Sequence, residues 1–241
     1  SAAEPFINSG YSKENVVVTG LCIEPGLQRQ AEQAYLSRLS RIETANRLTG
    51  AFFSSGAEPK PHMEKLVMAA ASVVSEGHNV IVFAKRGGRL AHLFKRTFDR
   101  ENLKFPTIDE DSQNLNLETQ AMLCLYSSRE VESKLTCGLF EKLDFFVAPS
   151  HERTNWALGL GLPMFILEPP IGPFSPLNRE VLLGSGVAQG VETIARARQF
   201  GKTLKEMQKN GKLLRMSESG WEKHPILGFQ TIADFLVNKF A

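Results

Sequence analysis

One property constrains this chain more than any other: short, continuous apolar runs alternate with longer segments at helical spacing. Continuous rather than alternating hydrophobicity fits strands covered on both faces. Alternation with amphipathic helices argues for βαβ units and a parallel sheet rather than a sandwich or a bundle. The apolar runs predict strands at residues 16–19, 51–54, 80–84, 121–125, 145–148 and 164–167. Helical spacing predicts helices at 27–46, 62–74, 89–98, 129–143, 154–160, 178–184, 191–209 and 231–240. The expected fold is α/β, a Rossmann-like open, mostly parallel sheet with helices on both faces.

With 241 residues the chain lies between one large and two ordinary domains and can bury about 70% of its unfolded surface. Residues 1–46 stand apart, because an apolar VVVTG run and a long polar helix precede the first glycine-containing strand. They read as an extra layer or as a lead-in from a missing N-terminal half, with the main domain at 47–241. Residues 101–119, polar and carrying the Asp109, Glu110, Asp111 run, read as a surface excursion, and 210–228 as a connector.

Three cysteines, Cys22, Cys124 and Cys137, with no CxxC pairing, suggest reduced thiols in a cytoplasmic protein and no zinc site. No run approaches the length of a membrane span, and the start SAAEPF lacks the regions of a signal peptide. With 28 basic against 26 acidic residues, the charge is too balanced for a nucleic-acid footprint. The local group Lys85, Arg86, Arg89, Lys95 and Arg96 reads as a solvated helix face.

Open α/β sheets bind ligands outside the carboxyl ends of their strands, so the polar residues just after each strand are the candidate site. After the first core strand come Ser54, Ser55 and Gly56, with a helix following. Their small size either lets a diphosphate approach the backbone, helped by the helix amides, or serves a tight turn. The loop is neither GxGxxG nor GxxxxGK[ST]. Tyr126 and Ser127 end another strand, where a ring and free backbone groups could flank a nucleobase; Ser128 is a helix cap. The richest stretch is Ser150, His151, Glu152, Arg153, Thr154 and Asn155, whose hydroxyls, guanidinium and helix amides suit an anion. As a surface group at a helix start, Arg153 should be removable without loss of stability. His151 reads as a cap or polar surface residue ahead of a proton-transfer group. Past the next strand, Pro170, Pro173 and Pro176 stiffen a loop leading to Ser175 and Asn178.

These residues resemble the C-terminal, nucleotide-sugar-binding half of GT-B glycosyltransferases, in particular the group of lipid II N-acetylglucosaminyltransferase and the galactolipid synthases. The matching positions are Ser150, Thr154, Gly161, Leu162, Pro163, Asn178, Gly186 and Ala188. SSGAEP (54–59) is similar to that family's small-residue loop, and VVVTGLCIEP (16–25) to its crossing segment between halves. One departure stands out. Where the family carries a ribose-gripping Glu, this chain has Trp156 or Ala157, depending on the anchor used, with Glu152 or Asn155 about one turn away. The family's glutamine-rich sugar loop is replaced by Pro173, Phe174 and Ser175.

The resemblance implies the donor-binding half of a hexosyltransferase that uses a UDP-sugar, needs no cofactor or metal, and is inactive without an N-terminal half carrying the acceptor site. Arg153 or Arg179 would stabilise the leaving diphosphate, and the whole protein could associate peripherally with a membrane. Two other readings stay open: a nucleotide-sugar epimerase or hydrolase of the same architecture, and a non-catalytic nucleotide-sugar-binding module. The former needs carboxylates at the sugar, and Glu58, Glu152 and Glu168 are scattered along the sequence.

Overall fold

The apolar runs become strands because two separate layers of side chains bury them from opposite faces. A computed structural model describes residues 3–112 and 119–240. Among these, β1 (Thr49–Phe53), β2 (Asn79–Lys85), β3 (Thr107–Ile108), β4 (Ala121–Tyr126), β5 (Phe145–Ala148), β6 (Met164–Leu167) and β7 (Ala188–Val191) form one sheet. Its order is β3-β4-β2-β1-β5-β6-β7, and each neighbouring pair is parallel.

Neighbouring residues of one strand feed opposite cores. Phe52 joins Leu66, Phe94 and Phe145 on one face, whereas Phe53 joins Phe83, Phe140 and Trp156 on the other. Each such buried ring contributes roughly 1.5–3 kcal/mol relative to exposure. The first layer is built by α2 (Lys60–Ser75), α3 (Arg89–Arg100), α7 (Ile194–Arg198) and α8 (Phe200–Lys209). The second holds α1 (Ala31–Thr44), α4 (Arg129–Leu139), α5 (Thr154–Leu160) and α6 (Ser175–Gly184). Helices α9 (Lys212–Gly220) and α10 (Gly228–Phe240) complete the chain.

The lead-in residues pack on the sheet too: Ile23, Leu27, Ala31 and Ala34 belong to the second core. From α1 the fully buried Arg38 donates to the carbonyls of Leu143 (3.1 Å), Leu160 (2.8 Å) and Gly161 (3.1 Å). Burial pushes its guanidinium down to about 9. Beside it the Asp144 carboxylate accepts from Arg41 Nε (2.7 Å) and the Thr49 amide (2.7 Å), tying the entrances of β1 and β5 together.

Several expectations need correction. Residues 16–19 are not a strand. The β-branched run has no ladder partner among the described residues; Val17 and Val18 are exposed, and a single antiparallel bridge nearby joins Cys22 to Leu227. The 27–46 helix is broken at Arg29 and Gln30, after the short helix Pro25–Gln28 and before α1. The 191–209 segment is likewise not one helix, because Val191 closes β7 and Thr193 caps α7, its Oγ1 accepting from the Arg196 amide at 3.2 Å. The strand AQGV is half-exposed up to the buried Val191 and is interrupted by a glutamine and a glycine, so no apolar run announced it. The 210–228 connector contains α9, which buries Leu213 and Met216. The 101–119 excursion contains β3, paired with β4; its residues 113–118 lie outside the described residues.

Candidate functional site

β2 and β4 lie on one side of β1, and the chain then returns to add β5 on the other side. Strand order therefore reverses between β1 and β5, and the loops leaving their carboxyl ends splay apart to open a crevice. The β2–β4 register sets Lys85 level with Tyr126, which brings the ends of those strands to the same rim. A cavity of about 430 Å³ results, lined by Ser54, Ser55, Gly56, Tyr126, Ser127, His151, Glu152 and Arg153, all expected from sequence. Lys85, Glu58, Arg129 and Glu132 also line it.

One atom lining this crevice stands out. Ser54 is only 8% exposed, and its Oγ has no hydrogen-bond partner. A buried hydroxyl left unpaired costs about 1–3 kcal/mol, a cost that a bound polar ligand would relieve.

The walls are charged but largely self-neutralised. Arg153 Nη2 donates to Glu132 Oε1 at 2.6 Å, with the Glu132 side chain buried and that of Arg153 largely so. Its guanidinium lies over the Phe53 ring at 4.2 Å and within 5.5 Å of the Trp156 ring. Arg129 Nη2 meets Glu152 Oε1 at 2.6 Å, and that same oxygen lies 3.5 Å from Arg153 Nη1. Burial raises the Glu132 carboxyl against the pull of Arg153, and burial also pushes the Tyr126 phenol up to about 12. Arg129, Glu132, Glu152 and Arg153 also line a second cavity of about 460 Å³, together with Glu24, Cys137 and Trp156. Trp156, standing where the resembled family has a carboxylate, is buried against Phe53, Phe140 and Phe146 and donates Nε1 to Glu24 Oε2 at 3.3 Å.

The remaining expected residues come together elsewhere, in a network that shapes the rim. Ser150 Oγ is bonded to the Ser175 carbonyl (2.9 Å) and Oγ (2.7 Å), and Asn178 Nδ2 donates to the Ser150 carbonyl at 3.0 Å. Thr154 is buried, and Asn155 Nδ2 donates to the Cys22 carbonyl at 3.1 Å, fastening the lead-in segment. His151 Nε2 is engaged with the Ile171 carbonyl at 2.9 Å, and the buried His62 holds the Pro169 carbonyl at 2.7 Å, so two imidazoles grip the proline loop.

Two electrostatic expectations change. The helix after β1 offers the crevice few amides, because Pro61 has none and those of His62 and Met63 bond the Pro59 carbonyl. Nor is Arg179 free for a diphosphate, since its Nε is paired with Glu168. Glu58 is also committed: its Oε2 accepts from the Arg89 and Leu90 amides at 2.6 and 3.3 Å, capping α3. The cap signal at Ser128 is realised, with Oγ accepting from the Val131 amide at 3.2 Å. The lining residues that sequence reasoning missed had a readable signal in one case: Lys85 ends a strand beside the switch point, where any polar residue faces the crevice.

An open parallel domain with its crevice at the switch point is thus the class that the geometry defines. No protein-family model matches the chain, and no curated protein does. Solved structures do. A Staphylococcus aureus MnaA–UDP co-structure matches at TM-score 0.57 and 12% identity, over 98% of this chain and 57% of that one. The C-terminal CMP-Kdo binding domain of WaaA from Acinetobacter baumannii matches at 0.52 and 15%, over 80% of this chain and 96% of that one. WaaG, a glycosyltransferase involved in lipopolysaccharide biosynthesis, matches at 0.51 and 10%, over 90% of this chain and 54% of that one. The chain therefore has the fold of a GT-B glycosyltransferase C-terminal domain, and it spans little more than half the length of MnaA or WaaG.

Proposed function

We propose that this domain binds the nucleotide-diphosphate sugar, a UDP-sugar, of a cytoplasmic glycosyltransferase that transfers a hexosyl group. The unpaired Ser54 Oγ at the base of the switch-point crevice carries the reading. It is supported by the UDP in the MnaA structure and the CMP-Kdo of the WaaA domain. In this reading Ser54, Ser55, Gly56 and Lys85 meet the diphosphate, and Tyr126 and Ser127 flank the nucleoside. The acceptor site and the base belong to an N-terminal half, so the domain by itself transfers nothing; no cofactor or metal is required. The other two readings, an epimerase or hydrolase of this architecture and a non-catalytic module, share the same ligand.

Titration calorimetry with UDP, CMP, GDP and ADP tests this. UDP should bind best, and Ser54→Ala should weaken it about three- to tenfold, the worth of one hydrogen bond. Binding of none of the four nucleotides would overturn the proposal, and equal affinity for all would remove the uridine assignment.

A further inference from the structure

The switch-point crevice has no net charge to offer a phosphate. With His151 neutral, its lining sets three cations, Lys85, Arg129 and Arg153, against three carboxylates, Glu58, Glu132 and Glu152. A diphosphate entering it meets no net attraction unless one of those carboxylates withdraws. Burial and bonding decide which one can. Glu58 is 9% exposed and holds the Arg89 and Leu90 amides. Glu132 is 5% exposed and accepts from Arg153 at 2.6 Å. Moving either would leave a buried group without its partner. Glu152, in the turn before α5, is different: its side chain is 48% exposed and can rotate into water.

The place that Glu152 occupies is itself a seat for an anion. Its Oε1 lies 2.6 Å from Arg129 Nη2 and 3.5 Å from Arg153 Nη1, between the guanidinium that opens α4 and the one that precedes α5. Burial opposes the charge, yet a backbone hydrogen bond and the two arginines hold the Glu152 carboxyl below the usual carboxylate range, so it is ionised at neutral pH. It does not satisfy both partners. The 3.5 Å contact is longer than an ordinary hydrogen bond, and Arg153 Nε, out of solvent, has no hydrogen-bond partner among the described residues. A phosphate suits this seat better than a single carboxylate oxygen does, because guanidinium groups pair bidentately with phosphate oxygens.

We propose that Glu152 is a built-in competitor of the ligand: its carboxylate holds the anion seat between Arg129 and Arg153 until a phosphate displaces it. Displacement leaves the lining with one positive charge in excess, while Glu132 keeps Arg153 in place. Glu152 then selects ligands by their charge, a role that rests on the nucleotide-diphosphate reading of the crevice. A singly charged anion gains little by exchanging with a carboxylate, whereas a diphosphate brings more charge and more acceptors to the same two guanidinium groups.

Titration calorimetry of the 241-residue chain with UDP, pyrophosphate and uridine tests this. Glu152→Gln should bind UDP and pyrophosphate about fivefold tighter than the parent, the worth of one half-exposed ion pair, and should bind uridine as the parent does. In an Arg129→Gln background the same substitution should bring no gain, because the seat has lost its nearer donor. Should the glutamine variant fail to fold, Glu152→Ser removes the same charge with a residue that turns favour. Unchanged binding of UDP and pyrophosphate by the Glu152 variants would overturn the proposal. So would weaker binding, which would mean that the carboxylate itself holds the ligand, and so would a gain that persists without Arg129. If neither parent nor variants bind UDP or pyrophosphate, the diphosphate reading falls and this role falls with it. A parent that binds UDP beside variants that gain nothing leaves that reading standing and removes the competitor alone.

Discussion

Arg153→Ala is expected to cost about 3–5 kcal/mol of stability, because it removes the close partner of the buried Glu132 carboxylate and leaves it only the more distant Arg129, 3.8 Å away. In a chain of this size that is a fall in Tm of roughly 6–20 °C. Read as a helix-start residue, Arg153 should be dispensable for folding; its burial against Glu132 and its seat on the Phe53 ring reverse that expectation. The loss should depend on pH with a definite sign. Burial already raises the Glu132 carboxyl, and the nearby Arg153 charge is the largest influence lowering it. Without Arg153 the folded carboxyl rises further, so the variant holds its stability below the unfolded carboxyl value and loses it as pH rises through the folded one. Thermal melts of both proteins between mildly acidic and neutral pH measure this. Replacing both partners with leucine should recover most of the loss. A shift in Tm under about 2 °C at neutral pH would mean that the pair contributes nothing.

The same residue shows where sequence reading stops. Apolar runs such as those ending in Phe53 and Ala148 are visible because both faces of the strand are buried, and the rule that ligands sit beyond strand ends then places Ser54, Tyr126 and His151 at one crevice. Helix α5 was legible to the residue, because its small and apolar residues sit at helical spacing just before Gly161. Which polar groups would face a ligand and which would bond to each other was not legible. Ser175 and Asn178 lie 25 and 28 residues beyond Ser150 yet both bond to it, and nothing in a linear chain encodes that closure. The β7 strand was hidden because an edge strand does not require an apolar face. Residues 16–19 misled for the opposite reason, since three consecutive valines have high strand propensity but form no ladder without a neighbour.

Gly161→Ala should cost about 2–5 kcal/mol, without any charge or hydrogen bond being removed. Two costs add. Gly161 ends α5 in the left-handed region, at φ 59° and ψ 31°, where a side chain costs about 1–2 kcal/mol. A methyl there would also sit 2.6 Å from the Ser217 carbonyl oxygen and 3.2 Å from the Tyr35 ring, an overpacking worth about 1–3 kcal/mol. Neither neighbour can retreat easily. The Tyr35 ring is stacked on Trp221 at 4.2 Å, and the Gly161 carbonyl is held by Ser217 Oγ at 2.6 Å and by the buried Arg38. The effect should therefore spread along α5 to Arg153 and Thr154, so weakened nucleotide binding should accompany the loss of stability. Gly184→Ala is the control, since it ends a helix with nothing within 4 Å of the added carbon; it should be neutral or stabilising by up to about 1 kcal/mol. Urea unfolding of both variants decides the matter. If Gly161→Ala falls within about 0.5 kcal/mol of the parent, the junction among α1, α5 and α9 is loose enough to absorb a methyl group, and the crevice cannot owe its shape to close packing there.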